Sequence, residues 1–102
     1  EFLPRHPEIT AIYCASDLMA LGAMRAAKEL KIDIPGKLSI VGFDNIPIAQ
    51  YTSPALTTVE QDFYQMGYEA AKMLYDIVQN KDVPHSKKIS YKIIERSSVG
   101  MV

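Results

Sequence analysis

One cysteine, Cys14, and two histidines, His6 and His85, are all the thiol and imidazole side chains that the 102 residues hold. A single cysteine excludes an internal disulfide, and its place in an apolar stretch reads as a small buried thiol, as expected in a reducing cytoplasm. Two histidines far apart, with no second cysteine and no i, i+4 ligand spacing, leave no metal pattern. Charge of one sign is not in excess either: eleven Lys and Arg stand against twelve Asp and Glu, net charge -1. The chain itself therefore has no basic field with which to hold a nucleic-acid backbone. No run reaches the roughly 20 apolar residues of a membrane span, and the first residues lack the basic-then-apolar order of a secretory leader. Gly22, Gly36 and Gly42 make neither a dinucleotide fingerprint nor a phosphate loop, and no G-x-S-x-G elbow presents a nucleophile. Hydrolysis at Ser16 would need a histidine brought to it, and no such constellation is in view. The expectation is a protein that is not an enzyme and holds neither metal nor cofactor.

What is present is the composition of a soluble globular domain, 48% hydrophobic and 23% charged, long enough for a modest core. "EFLPRHPE" carries Pro4 and Pro7 and cannot be a helix interior. "ITAIYCA" (9–15) predicts a short strand covered on both faces. From Ser16 or Asp17 as N-cap, the spacing turns helical, with Leu18, Met19, Gly22, Ala26 and Leu30 along one side. Pro35-Gly36 marks a turn, "LSIVGF" (38–43) is a second buried strand, and "LTTVEQ" (56–61) a third. Between them the loop leaves room for one helical turn between Pro47 and Pro54. A strand, a helix and a strand within some 35 residues predict a β-α-β unit and a parallel sheet, hence an α/β fold.

Asp62, with Gln65 three residues on, opens a second helix running to Gln79 at capping-box spacing. On its wheel Phe63, Met66, Gly67, Ala70, Leu74 and Ile77 share a face, with Tyr64, Tyr68 and Tyr75 directly beside it. So wide an apolar arc predicts that this helix touches more than one packed surface. A polar loop, "NKDVPHSKK", leads to a last strand in "ISYKIIE".

In a parallel α/β sheet the ligand crevice lies beyond the carboxyl ends of the strands, where Ser16-Asp17 and Asp44-Asn45 both emerge. Carboxylates that accept from adjacent hydroxyls, with a hydroxyl and a carboxamide nearby, suit a sugar. The plainer alternative, which spacing alone favours, is that Asp17 caps a helix and Asp44-Asn45 merely opens a turn. Gln61 and Phe63 stand where the third strand passes into the second helix. There an amide and a ring would bond and stack against a sugar, or Gln61 would be a solvated linker and Phe63 core, which its periodicity favours.

The stretch from "ITAIYCASDLMALGAM" through "GFDNIPIAQYTSPALTTVEQDFYQMGYEAAKMLYDIV" resembles the C-terminal part of the effector domain of LacI/GalR-family transcriptional regulators. The likeness rests on Ser16-Asp17, Met19 to Gly22, Pro35 to Asp44, Tyr51 to Thr58, Met66-Gly67 through Leu74, and a closing "IIERSS" at 93–98. It implies a parallel-sheet three-layer sandwich, part of a periplasmic-binding-protein-like (type I) fold whose two subdomains close on a small effector, usually a sugar or a purine. It also implies a cytoplasmic homodimer that meets operator DNA through a separate N-terminal helix-turn-helix, here missing together with the hinge helix and the first half of the effector domain.

Carried onto this chain, Asp44 is the principal effector carboxylate. Ser16 stands where many members have a ligand-contacting Asn, and Gln61 and Phe63 lie near the pocket. Residues 1–61 and 88–102 would form the C-terminal subdomain, and 62–87 a helix and loop belonging to the other subdomain. Dimer contacts would use the 18–30 helix and the 45–54 loop. With most of the other subdomain missing, helix 62–79 would be exposed, so the 102-residue chain is expected to associate as a dimer or larger, with helix exchange one route. Two rival classes are a sugar-binding transport protein of the same fold, which would need an export signal and no dimer, and an enzyme using Asp17 and Asp44 as acid and base.

Overall fold

A computed structural model describes residues 2–101. The chain divides into two compact units: one runs to Glu60 and resumes at Ile93, and the other is Gln61–Lys92. In chain order the regular elements are β1 (Ala11–Tyr13), α1 (Asp17–Glu29), β2 (Ser39–Asp44), β3 (Thr57–Gln61), α2 (Phe63–Val78) and β4 (Tyr91–Ile94). Two 3-10 turns, Leu3–Arg5 and Pro47–Tyr51, each have a proline in their first two positions, where the N–H groups have no partner within the turn.

The strands lie in the order β1-β2-β3-β4. β1 pairs parallel to β2 with Ile12 opposite Ile40, and β2 pairs parallel to β3 with Gly42 opposite Thr58 and Asp44 opposite Glu60. This is the expected α/β architecture with a mostly parallel sheet. β1 lies at the sheet's edge, and Tyr13 is exposed, so the expected cover on both of its faces is not found.

In the first unit Ala20, Ala27, Leu38, Ile40, Ala49 and Leu56 are closed off from solvent, with Met24 and Cys14 nearly so. Burial raises the Cys14 thiol above its ordinary range, as expected of an inert core thiol. The buried stripe of α1 is Asp17, Ala20, Met24 and Ala27, so the side that spacing marks with Leu18, Met19, Gly22, Ala26 and Leu30 is not the face laid on the sheet. Leu18 is 70% exposed. The physical reason is close approach: small alanines bring α1 onto β2, whose Gly42 has Asp17 directly over it. Alternation along β2 turns Val41 and Phe43 to the other face, where Tyr13, Val41, Val59, Ile93 and Val99 line an open hollow of about 610 Å³.

Polar residues close the amino end of the sheet. Ser98 is fully buried; its hydroxyl donates to the Ile40 carbonyl (2.6 Å) and accepts from the Thr57 N–H (2.8 Å). The Ile40 N–H in turn donates to the Ser98 carbonyl at 2.9 Å. The tail therefore splices β2 to β3 at the end remote from the rim.

In the second unit, the side chain of Asp62 accepts from the Gln65 N–H at 2.8 Å, as the sequence predicts for a cap. The return half of the box is replaced, since the Gln65 amide donates instead to Glu69 at 2.7 Å. No residue of α2 is buried, and Phe63 is 56% exposed rather than core. The apolar arc that periodicity identified is present on the helix, but nothing within this unit closes over it.

Candidate functional site

β1 and β2 deliver their carboxyl ends to one rim of the first unit. At the end of β1, Ser16 caps α1, its hydroxyl oxygen accepting from the Met19 N–H at 3.2 Å. The cap uses a lone pair and leaves the hydroxyl proton available to another acceptor. Ser16 rather than Asp17 is thus the cap.

Asp17 turns inward and is fully buried, which neither the cap nor the sugar-gripping expectation foresaw. One of its oxygens accepts from the Thr58 hydroxyl at 2.5 Å and the other from the Ile46 N–H at 2.8 Å. Thr58, buried on the adjacent strand, also accepts from the Asn45 N–H at 3.3 Å. A side chain at Gly42 would collide with the Asp17 carboxylate, so glycine is required in the strand interior.

Asp44 and Asn45 both have positive φ, 115° and 52°. Asp and Asn are the residues that visit this region most readily after glycine, which accounts for the pair at a strand end. Asn45 is near the left-handed well, but Asp44 lies well past it, in a region that costs a non-glycine residue about 1–3 kcal/mol. The Asn45 carboxamide is committed to the fold: its nitrogen donates to Glu60 at 2.6 Å and its oxygen accepts from Arg96 at 2.8 Å. Arg96 also donates to the Leu56 carbonyl at 2.7 Å. Two of the four rim groups named from sequence, Asp17 and Asn45, are therefore bonded into the fold, Ser16 caps α1, and Asp44 ends β2.

Gln61 ends β3 and is half-buried, and Phe63 opens α2 with an exposed ring. Sequence reasoning missed Thr58 and Arg96. Gly42 was a signal for the inward turn of Asp17, because an isolated glycine inside a strand marks the close approach of another group. Among the described residues no cluster of His, Cys, Asp and Glu could hold a metal ion, and no helix is long and apolar enough to cross a membrane.

A family model described as a periplasmic binding protein-like domain matches residues 1–99. The chain belongs to that family. Relatives of this periplasmic binding protein-like chain include the HTH-type transcriptional repressor PurR of Yersinia enterocolitica, 43% identical over 91 residues, or 88% of this chain and 27% of the relative. Among solved structures, a transcriptional regulator CelR in complex with cellobiose superposes with a TM-score of 0.86 at 32% identity, covering 94% of this chain and 30% of that one. The Escherichia coli transcriptional repressor ascG gives a TM-score of 0.73 at 37% identity, covering 88% and 33%. A lac repressor dimer bound to operator and an anti-inducer gives 0.82 at 32% identity, covering 88% and 32%. The likeness to the C-terminal part of a LacI-type effector domain is therefore real, and the chain spans about a third or less of the relatives it matches.

Proposed function

We propose that this chain is the effector-sensing and dimer-forming part of a sugar-responsive, LacI-type DNA-binding repressor, acting in the cytoplasm and without enzymatic activity. Asp44 is the effector-binding carboxylate, with Ser16 on the same rim. Binding would shift the balance between open and closed arrangements of the intact domain, and with it the geometry presented to operator DNA.

The observation that carries this reading is the backbone of Asp44, held at φ 115° at the carboxyl end of a parallel strand. Strain of that kind concentrates where a side chain must be aimed. A sugar is favoured because carboxylates accept from adjacent hydroxyls and because one structural neighbour is a cellobiose complex. Dimer formation is supported by the outward face of α1, where Leu18 and Met19 are exposed, and by exposed Ile48 and Tyr51 on the second 3-10 turn.

The test is calorimetric titration of the full-length protein with cellobiose, monosaccharides and purine bases, repeated with Asp44→Ala. Loss of about 2 kcal/mol, roughly thirtyfold in Kd, is expected for a charge-assisted contact. Unchanged binding in a folded variant would make Asp44 a turn residue.

A further inference from the structure

Asp17 and Thr58 sit behind the rim, both fully buried, and together they take the two amides that follow Asp44. The bonds converge on the Asp17 carboxylate: the Asn45 N–H donates to the Thr58 hydroxyl oxygen, the Thr58 hydroxyl donates to one Asp17 oxygen, and the other Asp17 oxygen accepts from the Ile46 N–H. Two successive backbone donors are thereby fixed by side chains from α1 and β3, and the positive-φ turn that presents them begins at Asp44. Neither bond can form if the chain leaves β2 in an ordinary extended conformation, because Asn45 and Ile46 would then continue the strand. The positive φ at Asp44 and Asn45 is what points both amides inward.

We infer that Asp17 and Thr58 are positioning residues for Asp44, and that Gly42 is present to admit the Asp17 carboxylate behind the rim. The consequence for affinity rests on the reading of Asp44 as the effector carboxylate; the consequence for backbone geometry does not. Burial makes the pair exacting. A buried carboxylate or hydroxyl left without its partner is costly, so the network is either complete or the turn rearranges. Thr58 has the hydroxyl that the relay needs, and valine, of nearly the same shape, lacks it.

The experiment compares Thr58→Val and Thr58→Ser in the full-length protein by crystallography and by titration with cellobiose. In Thr58→Val the 44–46 turn is expected to lose the positive φ at Asp44 while β2 and β3 keep their register, and Thr58→Ser is expected to retain it. Retention of the native turn in Thr58→Val would overturn the inference. If Thr58→Val does not fold, hydrogen exchange of the unaltered protein decides: protection of the Asn45 and Ile46 amides comparable to β2 is expected, and exchange at exposed-loop rates overturns it. Where cellobiose binds the unaltered protein, Thr58→Val should weaken it roughly tenfold, the scale typical of supporting partners, with rescue by Thr58→Ser. Failure of cellobiose to bind counts against the sugar reading alone, since the turn geometry is measured without ligand.

Discussion

Leu38, Ile40 and Leu56 of the first unit have almost no exposed surface, while in the second unit not one residue of α2 is buried and Tyr64 is 81% exposed. Both units contain helices with caps in the expected places. The difference is that α1 has a sheet to lie on within its own unit and α2 does not. An amphipathic pattern states which face needs cover, and the stability it yields depends on cover being supplied. The largest test of the contrast is a pair of truncations in the 102-residue chain. Leu56→Ala should cost about 2–5 kcal/mol in urea denaturation, as for a fully buried leucine. Leu74→Ala, measured in samples diluted to the monomer, should stay within about 0.5 kcal/mol, as for an exposed site. Equal losses would mean that α2 is packed after all.

The contrast also predicts how the chain behaves in solution. Tyr64, Tyr68, Leu74, Tyr75 and Ile77 together form an apolar surface that water disfavours, and surfaces of this kind drive association. Sedimentation at micromolar concentration should show a dimer or a larger species. A monomer would show that the face tolerates solvent and would remove the reason for expecting exchange of α2.

Caps sharpen the comparison on a smaller scale. Ser16 and Asp62 make the same kind of bond, to the Met19 and Gln65 amides. Replacing either with alanine removes about 1 kcal/mol. α1 should remain helical because its buried stripe still holds it. In α2 the same loss falls on a helix with no core, so Asp62→Ala should lower the far-ultraviolet helix signal and Ser16→Ala should not.

Most of the element order was legible because it depends on local rules. Proline and glycine punctuation, β-branched runs and two cap signatures placed every strand and helix to within a few residues. What failed depends on contacts across the sheet. Leu18 and Met19 look like an inner face by hydropathy, yet Ala20 and Ala27 win because small side chains allow the helix to approach β2. Phe63 fits a core periodicity, but its unit has no second layer. Asp17 looked like a cap or a ligand group because its buried partner, Thr58, is 41 residues away. The rim position of Asp44 was legible from topology, and its backbone strain was not, since φ leaves no trace in residue type beyond the tolerance of Asp for it.

The second unit replaces a core with charge, which yields the smallest and most local prediction. Lys87 donates to Glu69 at 2.6 Å and Lys81 approaches Asp76 at 3.2 Å, tying the loop after α2 back to the helix, while Lys72 pairs with Asp76 within the helix at 3.5 Å. The hydrogen bond from Lys87 holds the Glu69 carboxyl below its ordinary value of 4.5, and that from Lys81 holds Asp76 below 3.8. A carboxyl whose folded pKa is depressed contributes stability that is complete above the unfolded value and disappears as pH falls through the folded one. Acidification below 4.5 should therefore loosen α2 and the 80–88 loop, seen as faster amide exchange there, while β2 and β3 keep their protection through bonds to backbone and hydroxyl groups. Added salt at neutral pH should reproduce part of the effect, because surface pairs are screened. Lys87→Met should return Glu69 toward its ordinary titration without disturbing the first unit. Exchange that rises equally in both units on acidification would show that these ion pairs do not set the stability of the second.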